Sequence, residues 1–471
     1  MDPMHGRTAP LNRKPVELPA FLLIALLIGG CASSRVQVAD EKIEPSLQEA
    51  SGVTTRQVLS AKNSEALTLW EVYALAVDRT ERLPQRAEGL EQSYARRQQD
   101  TGSILPRLSL RGGAQIQDGA DDPVKSLAVN ARQPLLTGLN EVAALKGAPH
   151  EIDQRRHELR HEAGRLLLDV TRAFYTVLQL EESRRSNAAI RELTEKQTAE
   201  LRRRVNLGRS RPSEMLTVKA QLARLDAQLL DVEDRLSQQR ETLALLSGIG
   251  PEQALKETEA PQGVDFPLSR AEDEAEHRAD VAAAKSAVKV AEAQVLAAQG
   301  GHLPSLALDG NYYLHRDGTL SDVKWDAGLS LDLPLFSGGS VNGRVREAQS
   351  RKRQAELAHS TVVRQARQEI RASYRSLEAA LKEVEAYDKA LKAAQENYDV
   401  IAREFRLNLV THLDVLRALS DLETAKDNYR RVRYQALVDR IWLGVAVGRL
   451  PKTEMPPSSP RSHEDMKNGK P

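Results

Sequence analysis

The stretch His157-Glu158-Leu159-Arg160-His161 has the spacing of a zinc hydrolase helix. On a helix, positions four apart share a face, so both imidazoles could hold one metal while the glutamate activates water. A catalytic zinc needs a third protein ligand and a site dry enough to keep a reactive water. His150 lies nearby, but it follows Pro149 and its spacing to His157 fits no such site. Arg155, Arg156 and Arg160 surround the pair and oppose a cation electrostatically. The motif therefore reads as the solvated face of a polar helix, and a zinc metalloprotease is the least favoured function. A second motif, Gly338-Gly339-Ser340-Val341-Asn342-Gly343, has glycines at phosphate-loop spacing. Arg344 and Val345 stand where lysine and Ser/Thr are needed, so it reads as a strand-to-helix turn. No residue set is expected to hold a metal or a cofactor.

The third reactive group is Cys31, the single cysteine of the 471 residues. It follows Arg13, Lys14 and the apolar run from Ala20 to Ile28, which is too short to span a bilayer as a helix but suits an export signal. Gly29 and Gly30 lead into it as in a bacterial lipobox, whose cysteine becomes an acylated N-terminus. Ala32 and Ser33 follow with no aspartate, which implies sorting to the outer membrane. The expectation is a signal peptide over 1–30 and a lipid on Cys31, with 31–66 as anchor and tether. Lys+Arg 67 against Asp+Glu 66 leaves no basic footprint for nucleic acid.

What must position these groups is a duplicated fold. Gln133-Pro134-Leu135-Leu136-Thr137-Gly138 matches Leu333-Pro334-Leu335-Phe336-Ser337-Gly338, and Leu105-Pro106 matches Leu303-Pro304, at offsets of about 200. Each half carries two segments of period two: Leu108 to Ile116 with Leu127 to Leu135, and Leu306 to Leu314 with Val323 to Leu335. Polar turns around Gly119 to Pro123 and Arg316 to Gly318 join them. The rest is helical. A four-three seam runs Val218, Leu222, Leu225, Leu229, Val232, Leu236, Leu243, Leu246, and recurs from Ala418 to Ala446. Long helices are expected from about Gly138 to Val205 and from Gly338 to Phe405, with shorter ones over 68–100 and 269–300. Four strands of tilted-membrane length have open edges and cannot close in lipid, so several copies must supply one barrel. Two copies give about eight strands, which side chains would largely fill; three give about twelve, wide enough for a lumen.

The order helix, strand, strand, long helix, helix, repeated twice, resembles the outer-membrane efflux family, the TolC-like channels. The resemblance rests on the LP strand starts, Pro334 to Gly339, His277-Arg278-Ala279-Asp280-Val281 and two hairpin tips. The tips are Arg204 to Gly208 through Ser213 to Leu216, and Phe405 to Asn408 through Leu413 to Leu416. The family departs from this chain at Ala279, where proline is usual. It implies a mainly helical homotrimer with a 12-stranded membrane β-barrel continued by a long periplasmic α-helical barrel. It further implies a periplasmic adaptor docked at Leu207, Gly208, Ser213, Glu214, Leu407, Asn408 and Leu413, and an inner-membrane pump of the RND or ABC type. Asp414 then lines the closed constriction as a ring, with Arg417 where the family can carry a second acid. Repeats over 67–250 and 251–450 and a disordered tail over 451–471 complete the expected organisation. The alternative without catalysis is a structural coiled-coil lipoprotein, which needs no strands.

Overall fold

A computed structural model of the chain describes residues 38–116, 123–208, 210–263, 266–318, 320–407 and 409–449. Cys31, the 1–30 signal peptide, the 119–122 turn, Asn408 and the 451–471 tail lie outside the described residues.

The order of elements repeats. Two helices, α1 (Val38–Ser51) and α2 (Thr55–Lys62), precede a short strand β1 (Ala66–Leu67). The first unit is α3 (Leu69–Arg79), α4 (Arg82–Ser103), β2 (Arg107–Gln115), β3 (Val124–Thr137), α5 (Asn140–Asn206) and α6 (Pro212–Ser247). The second is β4 (Ala254–Leu255), α7 (Leu268–Asp273), a 3-10 turn, α8 (Ala279–Gly300), β5 (Ser305–Arg316), β6 (Trp325–Asp332), α9 (Ser340–Arg406) and α10 (His412–Ala446). The two long helices have 67 residues each, about 100 Å at 1.5 Å per residue. Their bounds match the sequence expectation, because a glycine turn starts each and a glycine- or asparagine-bearing tip ends each.

The four long strands form one antiparallel sheet in the order β2-β3-β5-β6. Its register sorts side chains by polarity. One rung is Leu110, Val129, Tyr312 and Trp325; the adjacent rung is Ser109, Asn130, Asn311 and Asp326. Asn130 Nδ2 donates to Asn311 Oδ1 at 2.9 Å, and Asn311 Nδ2 donates to Asp326 Oδ1 at 2.7 Å. One face is thus a hydrogen-bonded polar band and the other is apolar. A soluble sheet buries its apolar face. Here every residue of β2 and β6 is exposed, with Leu110 at 65% and Leu329 at 64%.

Strand β6 is shorter than the alternation from Val323 to Leu335 suggests. Its last residue, Asp332, pairs with Ser305, the first of β5, so Leu333 and Leu335 have no partner strand to extend against. Pro334 also lacks the N–H a ladder needs. In the first unit, β3 continues through Pro134 to Thr137, with a register shift between Pro134 and Leu136 absorbing the proline.

Left-handed residues turn each strand into its long helix. Gly338 and Gly339 have φ of 59° and 81°; Gly138 and Leu139 have 61° and 64°. Gly138 also meets Gly300 backbone to backbone: a Cβ on Gly300 would lie 1.5 Å from the Gly138 carbonyl oxygen. The end of α8 and the start of α5 can cross there only without side chains.

The main core lies where α3, α5 and the ends of α6 and α10 meet, around Val72, Leu166, Phe174 and Leu243. The segment before it corrects an expectation. Residues 31–66 read as a tether, yet Ala50, Val53, Val58 and Ala61 are buried in this core. β1 pairs in parallel with β4 of the second unit. The apolar positions of α1 and α2 are few and spaced among charges, which is why sequence alone read them as linker.

Candidate functional site

The two hairpin tips lie side by side. Leu201 and Val218 of the first hairpin pack against Leu416 of the second, and one level up Ile190 and Leu225 pack against Leu419. Val218 and Leu225 are seam positions of α6, whereas Leu416 and Leu419 lie off the recurring series that starts at Ala418. Polar ties cross the same boundary higher up: Tyr434 donates to Glu182 at 3.0 Å, and Arg430 pairs with Glu182 at 3.3 Å.

At the extreme end, Leu207, Gly208, Ser213, Leu407 and Leu413 are exposed, as is Leu409, while Glu214 is half-buried. The exposed leucines make an apolar cap on a polar bundle. Asp414 takes part in a capping box. Its Oδ2 accepts from the Thr411 N–H at 2.9 Å and from the Thr411 hydroxyl at 2.6 Å, and its own N–H reaches Thr411 Oγ1 at 3.4 Å. The Thr411 hydroxyl bond, its N–H bond and the Arg417 charge together hold the carboxyl below the usual carboxylate range against a small effect of burial. Asp414 stays ionised in water, with Arg417 one turn on. The first tip has no such box: Arg211 makes no side-chain cap and Pro212 takes the first helical position.

His412 sits between the tips and was not singled out by sequence. It is 6% exposed, and its Nε2 is buried with no hydrogen-bond partner among the described residues. Its ring lies 5.7 Å from that of Phe405. The available signal was Thr411-x-x-Asp414, a helix-start signature that places the intervening His412 at the first helical position.

Midway along the bundle, α10 ends where α8 begins. Arg278, 5% exposed, joins the two. Its Nη1 donates to the Ala446 carbonyl at 3.1 Å, its Nη2 to Asp280 at 2.8 Å and to Glu369 of α9 at 2.8 Å. Burial alone would lower the guanidinium and raise Asp280; the bonds and charges between them outweigh it in both cases. The first unit repeats the device with Arg82, which pairs with Asp169 at 3.0 Å and with the buried Glu162 at 2.5 Å. Asp169 and Glu369 are 200 positions apart.

The His157 motif lines the cavity beside this junction, about 490 Å³, together with His277, Arg278, Glu369 and Trp442. It is therefore half-buried rather than fully solvated, because α1 folds over it: Arg160 pairs with Glu49. Burial, then the Arg160 charge, pushes His157 below its ordinary value. The glutamate of the motif is occupied: Gln154 donates to Glu158 Oε1 at 2.8 Å and Arg155 to Oε2 at 2.9 Å. Among the described residues no three His, Cys, Asp or Glu side chains converge as a metal site.

The family model described as "Outer membrane efflux protein" matches residues 271–449. The chain is 25% identical over 431 residues to the outer membrane protein TolC of Escherichia coli, covering 83% of this chain and 84% of that protein. The chain is thus similar to outer membrane efflux proteins, by the family model over residues 271–449 and by identity along most of its length. Solved outer membrane proteins share the fold. The outer membrane protein VceC of Vibrio cholerae superposes with a TM-score of 0.71 at 20% identity, over 81% of this chain and 96% of that one. The outer membrane channel CmeC of Campylobacter jejuni gives 0.72 at 15%, over 85% and 89%. Outer membrane efflux proteins are channels rather than enzymes. Arg278 and Asp280 fall in the matched region, with Ala279 between them.

Proposed function

We propose that this protein is the outer-membrane channel of a tripartite efflux or export system. The observation that carries this reading is the sheet: four strands with an apolar face, a polar face and two unpaired edges, continued without interruption by helices of 67 residues. Open edges have no solvent in lipid, so the strands must be completed by further copies. Three copies close twelve strands around a lumen, and the helices extend the passage into the periplasm. The exposed leucines of the tips supply the surface for a periplasmic adaptor, through which an inner-membrane pump of the RND or ABC type delivers solute. No cofactor is required.

Purified full-length protein should run as a trimer and give single-channel currents in planar bilayers. A current-free monomer would favour the structural coiled-coil lipoprotein instead. In the trimer, Asp414 contributes one carboxylate per protomer to a constriction ring. Asp414→Ala removes the ring charge and the cap together, whereas Thr411→Ala removes most of the cap alone. Loss of cation block in the first variant and its retention in the second supports the ring; equal behaviour of the two assigns Asp414 to capping only.

Cys31 is the proposed site of acylation, adding a lipid anchor to the barrel. Metabolic labelling with a fatty acid should mark the wild type and not Cys31→Ala. Equal labelling of both would remove the anchor. Channel currents in that variant should persist, since the barrel spans the membrane by itself.

A further inference from the structure

The tips hold a buried imidazole that the passage of solute does not use. We infer that His412 is a proton-sensing latch which holds the two hairpin tips together when neutral and releases them when charged. This inference rests on the channel reading above.

The geometry is specific to the second tip. His412 is the first residue of α10, wedged against the end of α5 and the start of α6. The first tip has proline at the matching start, Pro212, so only one of the two hairpins carries the imidazole. Nε2 is enclosed without a partner among the described residues, an arrangement a neutral ring accepts at moderate cost and a charged ring does not.

Charged groups reach the site from every packed element. The end of α5 brings Glu200 and Arg204; the turn brings Arg211; α6 brings Glu214. Its own helix brings Asp414 and Arg417. From α9 the neighbour is the Phe405 ring, itself covered by the Arg204 guanidinium at 5.0 Å. Glu200 is engaged by Arg203 and Arg204, and the Asp414 Oδ2 by Thr411. Glu214 is thus the acid that favours the charged ring, opposed by burial and by Arg204; burial is the largest of the three.

The sign follows from that balance. A histidine lowered in the closed tip binds its proton more readily once the tips part. Closure is fully supported above the free imidazole value of about 6.5 and weakens as pH falls below it. Each protomer of a trimer contributes one such group, so the response is steep. Acidification of the periplasm would then ease opening before any adaptor docks.

The test uses full-length protein in planar bilayers at about pH 7.5 and about pH 5. Wild-type conductance should rise severalfold on acidification. His412→Gln and His412→Phe should each lose most of that rise, and Glu214→Gln should move it to lower pH. Hydrogen exchange of the 200–218 and 405–418 amides provides a second readout that needs no current. At the acid pH it should be faster in wild type than in either His412 variant. An unchanged or falling wild-type conductance overturns the latch, because a charged ring bound to Glu214 would tighten the tips. An equal rise in wild type and both variants also overturns it, assigning the response to the carboxylates. Absence of current at every pH defeats the channel reading itself, while the exchange comparison still decides the latch.

Discussion

Replacing Arg278 by methionine should cost the assembled helices about 3–5 kcal/mol, the penalty for stranding buried charge. The methionine nearly fills the volume, so the loss is electrostatic. It leaves Asp280 without its strongest partner, Glu369 with its carboxylate unpaired and the Ala446 carbonyl at the end of α10 without a donor. Heat- or urea-induced loss of helical circular dichroism in detergent should shift to clearly milder conditions. Arg367→Ala is the control. Its pair with Glu276, at 3.3 Å, is exposed on both sides, and such pairs are worth roughly 0–1 kcal/mol. A loss from Arg278→Met no larger than the control's would show that the junction is held by packing around Leu377 and Ile370 alone.

The pH dependence of that difference has a fixed direction. Asp280 is lowered below its ordinary value of 3.8. Its contribution is therefore complete at neutral pH and is lost as pH falls through the acid range below that value. In Arg278→Met burial raises the stranded Asp280 instead, so the two proteins should differ most at neutral pH, draw closer as mild acid protonates that carboxyl, and converge in strong acid. Arg278 stays charged throughout.

The same junction marks where sequence reasoning reached its limit. Period, turn residues and internal offset were enough for the four strands, both 67-residue helices and both short partners, because each depends on local spacing. The pairing order of the strands was not legible; nothing in one strand names its neighbour across a turn. Arg278 was visible as part of a motif, but its role was not, since its partners come from residues 280, 369 and 446. His412 was hidden for the same reason: its burial is created by the other hairpin. The 38–66 segment was misread because its buried positions, Ala50, Val53, Val58 and Ala61, are few and spaced among charges. The His157 motif shows the converse, a local pattern that the tertiary surroundings commit elsewhere, with Glu158 held by Gln154 and Arg155.

Leu329→Arg should abolish stable insertion, while Ser330→Arg, one position along the same strand, should not. Leu329 pairs with Leu308 near the middle of the apolar rungs; Ser330 lies on the polar face, its hydroxyl 3.1 Å from Asp309 Oδ2. An arginine facing lipid near the bilayer midplane costs about 2–4 kcal/mol per copy, and one facing the lumen costs little. A trimer carries the substitution three times, which multiplies the penalty for Leu329→Arg at a step where all copies must close together. Fractionation should find Leu329→Arg degraded or soluble, with no trimer recovered from the outer membrane. Ser330→Arg should be recovered there as trimer, with altered ion selectivity because its charge enters the passage. The reverse outcome would invert the barrel, placing the Asn130, Asn311 and Asp326 band toward lipid. Equal tolerance of both would mean that the sheet never enters a membrane, which leaves the apolar rung from Leu110 to Trp325 to be covered by protein. The size of the contrast makes this the sharpest test of the fold's purpose, since neighbouring residues on one backbone are asked opposite questions by the two solvents they face.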